Sequence, residues 1–244
     1  SSGITVISGL LLRLLHVKNE NRDVRKRDGF LIVTFGGLAM GLFGTLPFLL
    51  TGAIPSFTEA FFETMSGFTT TGATILTDIE AMPKGILFWR SLTHWIGGMG
   101  IIVLTIAILP LLGVGGMQLF VAEAPGVTPD KLHPRITETA KRLWIIYFVL
   151  TLVEMTLLRL GGMTFFDVIN HAFATMATGG FSTKNASIAA YNNPFIHYVI
   201  TFFMFLAGIN FTLLYFGFSG KVGRLFRNEE FRTYGLIIVG VTVV

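Results

Sequence analysis

One unit occurs twice in this chain, and that repetition constrains the fold more than any other feature. Ser56-Phe57-Thr58-Glu59 opens an apolar stretch that runs into Thr69-Thr70-Thr71-Gly72-Ala73-Thr74. Thr164-Phe165-Phe166-Asp167 opens another, which runs into Ala177-Thr178-Gly179-Gly180-Phe181-Ser182-Thr183. Each copy reads as a short capped helix ending in a Thr/Gly-rich extended segment. A helix of about 18 Å, followed by extended residues at about 3.3 Å each, has the length to dip halfway into a bilayer and return. At that depth an extended backbone leaves carbonyls unpaired, at several kcal/mol per group, unless it lines a polar path. The pattern points to an ion pore.

Composition agrees with a membrane setting: 52% of residues are hydrophobic, 13% are charged, and the mean hydropathy is +0.69. With no cysteine, disulfides, cysteine-held zinc and thiol chemistry are excluded. The net charge of +4 does not mark a nucleic-acid binder, because thirteen of the eighteen Lys and Arg cluster at 18–28, 123–142 and 221–232. Apolar hairpins separate these clusters, so all three face one side, which the positive-inside tendency makes the cytoplasm. The spans expected are 30–50, 85–112, 143–160 and 195–218, each long enough to cross a core about 30 Å thick. Residues 3–15 and 233–244 are apolar but too short to span, and the chain is expected to be part of a longer one. The organisation expected is the end of a preceding helix plus a basic linker (1–30), a first repeat (31–122), a second repeat (123–220), and a linker leading into a third repeat (221–244).

Setting Thr71-Gly72 on Thr178-Gly179 gives a repeat offset of 107 residues, with Glu59 matching Asp167 and Gly98 matching Gly208 at shifted positions. Ser56 with Glu59, and Thr164 with Asp167, have the spacing of capping boxes and place both helix starts on the outer side. The carbonyl ends of the two helices then aim about half a negative charge each at the membrane centre, where a cation is otherwise least stable. Gly72 and Gly179 are expected to take dihedrals that other residues reach only with strain, turning successive carbonyls inward.

The segment Glu59-Ala60-Phe61-Phe62-Glu63-Thr64-Met65-Ser66-Gly67-Phe68-Thr69-Thr70-Thr71-Gly72-Ala73-Thr74 resembles the TrkH branch of the TrkH/TrkG/KtrB superfamily of bacterial potassium transporters. So do Phe88-Trp89-Arg90, Trp95-Ile96-Gly97-Gly98-Met99-Gly100, Gly115-Gly116-Met117-Gln118-Leu119 and Ala177-Thr178-Gly179-Gly180-Phe181-Ser182-Thr183. The resemblance implies an all-α membrane protein of tandem M1-P-M2 units (helix, re-entrant pore helix with filter strand, helix), four around one potassium-channel-like pore. It implies potassium bound in a filter that here comprises Thr70, Thr71, Gly72 and Ala73 with Ala177, Thr178, Gly179 and Gly180. It also implies a homodimer in the lipid of the bacterial inner membrane and a cytosolic, nucleotide-binding regulatory ring of the TrkA type, which binds NAD or ATP. No cofactor is implied for the chain itself. Two of the four units are present, and the gating elements the family carries in its third and fourth units are not.

Other residues admit a functional and a plainer account. Glu154, a carboxylate inside the third span, suits an ion or proton relay, or else is neutral, or paired with Arg159 or another helix. Arg90 and His94, one turn apart, face a vestibule or another unit, or else pack. The glycines of 97–100 and 113–116 follow no strand of a βαβ unit, so they suit close helix contact and not a phosphate loop. The histidines lack metal-ligand spacing and no nucleophile has a base beside it, which argues against an enzyme. Glu59, Glu63, Asp78 and Glu80 are expected toward the outer mouth, with Asp78 and Glu80 as vestibule charges that concentrate cations. The function expected is potassium uptake, by a channel-like or ion-coupled route. The competing classes are a non-conducting scaffold for a cytosolic partner and a cation-coupled secondary transporter.

Overall fold

The computed structural model describes residues 26–108, 136–218 and 222–243, and every regular element among them is helical. The first copy comprises α1 (Lys26–Leu50), α2 (Phe57–Phe68) and α3 (Lys84–Ile108). The second comprises α4 (Ile136–Leu160), α5 (Phe165–Met176), a 3-10 turn (Ser187–Ala190) and α6 (Pro194–Ala207). Helices α7 (Phe211–Phe218), α8 (Val222–Arg227) and α9 (Glu229–Val243) follow. Residues 3–15, most of the first two basic clusters and 109–116 lie outside the described residues.

Two of the expected spans take a different form. The last, expected as one segment over 195–218, is two helices: α6 is capped by Gly208, and α7 starts at Phe211. Inside α3, Gly100 takes a non-helical conformation with φ 54° and ψ 157°. Both interruptions fall at nearly the same place in the repeat, at residues that lack a side chain to resist them. By length and hydropathy, one described helix segment, Lys141–Leu160, is apolar enough to cross a membrane unaided.

The short helices α2 and α5 sit against the longer ones, and the core lies where they meet. Around α4 to α7, Tyr147, Leu158, Met163, Val168, Ile196 and Phe203 form the larger apolar cluster; Phe48, Ile54, Ala60 and Ile86 form a smaller one in the first copy. Helix α3 is the shared wall. The Trp89 indole donates to the Gly44 carbonyl of α1 at 2.9 Å, and the Trp95 indole donates to Thr151 of α4 at 3.2 Å. At Gly97 a Cβ would come within 2.8 Å of the Phe68 carbonyl carbon, and at Gly98 within 2.6 Å of the Ala177 Cα. Glycine at this pair lets α3 press its backbone against the ends of both short helices, the close approach that small residues permit. Large apolar side chains such as Phe35, Leu42, Phe148, Leu152, Tyr198 and Phe202 point outward, whereas Thr64, Ser66, Arg90, His94, Asn170 and His171 are buried. Apolar side chains facing outward, with several polar ones buried beside the apolar core, suit a bundle set in lipid.

Candidate functional site

Helices α2 and α5 end in the same way. Past Phe68, the Thr70 N–H donates to Gly67 O at 3.0 Å and the Thr71 N–H to Ser66 O at 3.0 Å. Past Met176, the Thr178 N–H donates to Thr175 O at 2.9 Å and the Gly179 N–H to Ala174 O at 2.9 Å. This pair of bonds is a Schellman cap, whose left-handed position is normally glycine. Here that position is threonine twice, with φ 54° at Thr70 and 55° at Thr178. A β-branched residue there is an outlier that stores roughly 1–3 kcal/mol of strain. Two residues on, Gly72 (φ 74°) and Gly180 (φ 89°) are again left-handed.

These equivalences fix the repeat at an offset of 108, not 107. Thr71 pairs with Gly179, and Gly72 with Gly180. The Thr-Gly dipeptides that match by letter are therefore one residue out of register by backbone. Gly180 carries the unusual dihedral assigned to Gly179 from sequence, and Ala177 is the C-cap of α5, equivalent to Thr69. Gly179 is glycine for want of space, since a Cβ there would lie 2.7 Å from the His94 Cγ. The segments adjoin: a Cβ on Gly72 would meet the Gly179 carbonyl, 3.0 Å from its carbon.

Behind them lies a polar network that sequence reasoning missed. Glu63, expected at the outer mouth, is buried and paired with buried Arg90, Nε to Oε1 at 2.7 Å. Glu63 also accepts from the Thr74 hydroxyl at 2.8 Å and the Ile75 N–H at 3.1 Å. Arg90 donates to Thr74 Oγ1 at 3.2 Å and to the Ser182 carbonyl at 3.4 Å, and its guanidinium lies 4.1 Å from the Phe181 ring centre. His94 stacks on the same ring at 3.9 Å. Packing alone therefore describes His94 but not Arg90. The only sequence signal was a pair of opposite charges inside apolar segments, and their positions in the chain do not tell which partner each finds.

The two expected capping boxes differ. Thr164 accepts from the Asp167 N–H at 3.2 Å and donates to its carboxylate at 2.7 Å, while Thr183 donates to the other carboxylate oxygen at 2.6 Å. Asp167 thus joins the helix start to the end of the second segment. Ser56 occupies the N-cap position of α2 but makes no cap bond with its side chain, and Glu59 is exposed. Asp78 and Glu80 are also exposed, yet they are not free charges. Asn185 donates to Asp78 at 3.0 Å and accepts from the Ile79 N–H at 2.7 Å, and Lys184 pairs with Glu80 at 3.3 Å. The Asn185 amide, aided by the Ala81 N–H, holds the Asp78 carboxyl below its ordinary range. Glu154 is buried, and neither of its oxygens has a hydrogen-bond partner among the described residues; Arg159 donates to the Met163 carbonyl at 2.8 Å in place of pairing with it.

The sequence that builds this turn twice matches a family of known proteins. The model of the TrkH family, described as cation transport protein, matches residues 3–234. The chain belongs to the TrkH family. It is 47% identical over 220 residues to the Trk system potassium uptake protein TrkH of Escherichia coli K12, covering 89% of this chain and 46% of that one. With the TrkH of Halomonas elongata the identity is 44% over 245 residues, covering 99% and 51%. With the Trk system potassium uptake protein TrkG of Escherichia coli K12 it is 40% over 230 residues, covering 93% and 47%. The crystal structure of the potassium transporter TrkH from Vibrio parahaemolyticus matches with a TM-score of 0.75 at 41% identity, covering 91% of this chain and 45% of that one. The chain spans about half the length of the relatives it matches.

Proposed function

We propose that this chain supplies two of four M1-P-M2 units of a potassium uptake pore, and that the segments after α2 and α5 are half of its selectivity filter. The observation that carries this is the repetition of one strained backbone at two adjoining places, Thr70 to Gly72 and Thr178 to Gly180. Left-handed residues alternating with ordinary ones allow neighbouring carbonyls to face one way, which a plain strand does not. Carbonyls so turned replace the water shell of a monovalent cation. The coordinating groups are the carbonyls of Thr70, Thr71, Gly72 and Ala73 and, in the corrected register, Thr178, Gly179, Gly180 and Phe181, with Ala177 at the foot of the second segment. Potassium is the cargo, and rubidium serves as its tracer.

Helices α1 and α4 are the outer M1 helices, α2 and α5 the pore helices, and α3 and α6 the inner M2 helices. The protein sits in the bacterial inner membrane with its basic loops in the cytoplasm. It works as a homodimer, regulated by a cytosolic nucleotide-binding ring of the TrkA type. The test is rubidium and sodium influx into proteoliposomes holding the full-length protein, wild type beside Gly72→Ser. Rubidium influx that potassium competes away, with the rubidium to sodium ratio reduced in the variant, is expected. A wild-type ratio in the variant refutes the filter; no influx with or without a cytosolic partner favours the scaffold.

A further inference from the structure

The ion pair behind the filter is not needed to link a pore helix to its own segment. At the offset of 108, His171 stands where Glu63 does and Ser182 where Thr74 does, and His171 Nε2 meets Ser182 Oγ at 3.0 Å. Likewise Thr183 stands where Ile75 does and is held by Asp167. Both copies therefore fasten helix to segment, the second through an imidazole and hydroxyl close to its own helix. Only the first copy uses Glu63 at this place, and a carboxylate buried there requires a counter-ion.

That counter-ion reaches further than charge balance demands. Arg90 comes from α3 of the first copy, yet one of its nitrogens bonds the Ser182 carbonyl and its flat face lies against Phe181, both in the second segment. Another of its nitrogens bonds Thr74 in the first segment. A guanidinium presents donors in a fixed planar fork, so bonds to both segments set their separation in a way a point charge does not.

We infer that Arg90 and Glu63 are positioning residues for ion selection: together they hold the two filter segments at a fixed spacing, and this spacing sets the preference for potassium-sized over smaller cations. The inference rests on the filter assignment proposed above. The experiment measures rubidium and sodium influx, per correctly assembled protein, for the full-length wild type, Gly72→Ser, Glu63→Gln, Arg90→Gln and Arg90→Lys. Glu63→Gln and Arg90→Gln are expected to lower the rubidium to sodium ratio by about tenfold, the scale of one lost charge-assisted hydrogen bond. Arg90→Lys keeps the charge but not the fork, and is expected to lie between them and wild type. If Arg90→Gln does not assemble, Glu63→Gln and Arg90→Lys, which preserve size or charge, decide the matter. A wild-type ratio in both of these while Gly72→Ser loses selectivity overturns the inference and leaves the filter standing. Reduced total influx at an unchanged ratio means support of folding only, and also overturns it. A wild-type ratio in Gly72→Ser removes the filter assignment, and the inference with it.

Discussion

Replacing Gly179 by alanine tests the packing behind the second Thr/Gly turn at a place where backbone strain does not enter, because Gly179 is not among the left-handed residues. The new methyl would lie 2.7 Å from the His94 Cγ and nearer still to Nδ1 and Cε1. Non-bonded carbons settle at about 3.5–4.0 Å, so the imidazole must withdraw by about 1 Å. It has little room to do so. His94 is fully buried and stacked at 3.9 Å on Phe181, which also carries the Arg90 guanidinium. Overpacking of this kind costs about 1–3 kcal/mol. Truncating the ring in His94→Ala loses its burial and leaves a cavity, at roughly 2–4 kcal/mol. In the double variant the methyl occupies space the ring has vacated, so the combined loss is expected to fall short of the sum by about 1–3 kcal/mol. Thermal unfolding of the full-length protein in detergent, followed by gel filtration for the four members of the cycle, gives the coupling. Additive losses refute the placement of His94 against Gly179.

Three further experiments give checks. Thr164→Ala removes a working cap and is expected to cost about 1 kcal/mol, whereas Ser56→Ala, whose hydroxyl caps nothing, leaves the unfolding temperature where it was; equal shifts contradict this difference. Lys184→Ala unmasks Glu80 and is expected to raise initial rubidium uptake at low ionic strength, while Asp78→Asn with Glu80→Gln lowers it. Both effects should fade near 0.15 M salt, where the screening length is about 8 Å, and uptake indifferent to salt in both variants removes these charges from the account. Since the folded Asp78 carboxyl lies below its ordinary value of 3.8, its contribution to stability is full above that value and is lost as pH falls through the folded one. Asn185→Ala is expected to flatten this acid limb of a pH series of unfolding temperatures.

The sequence was most legible where the determinant is local. The helix start at Phe165 follows from Thr164 before it, whose side chain caps it. The repeat itself was visible, but its register was not, because letters were matched where dihedrals decide. Thr71-Gly72 resembles Thr178-Gly179 as text, yet the Schellman caps align Thr70 with Thr178. A left-handed threonine also runs against the preference that lets glycine be predicted at such positions. Ser56-x-x-Glu59 shows the reverse failure: the spacing of a capping box is present and the bond is not.

What the sequence determined by itself is the class of molecule: a helical, strongly apolar chain of the TrkH family with two short helices, each followed by a Thr/Gly turn. Hydropathy, capping residues and charge distribution act over a few residues and survive without tertiary context. Only the tertiary structure decided that Glu63 meets Arg90, that Arg90 reaches Ser182, and that Asn185 bridges to Asp78. Those partners lie 27, 92 and 107 residues apart. A buried charge selects its partner by the geometry that best repays its lost hydration, and that geometry exists only once the two copies have packed on α3.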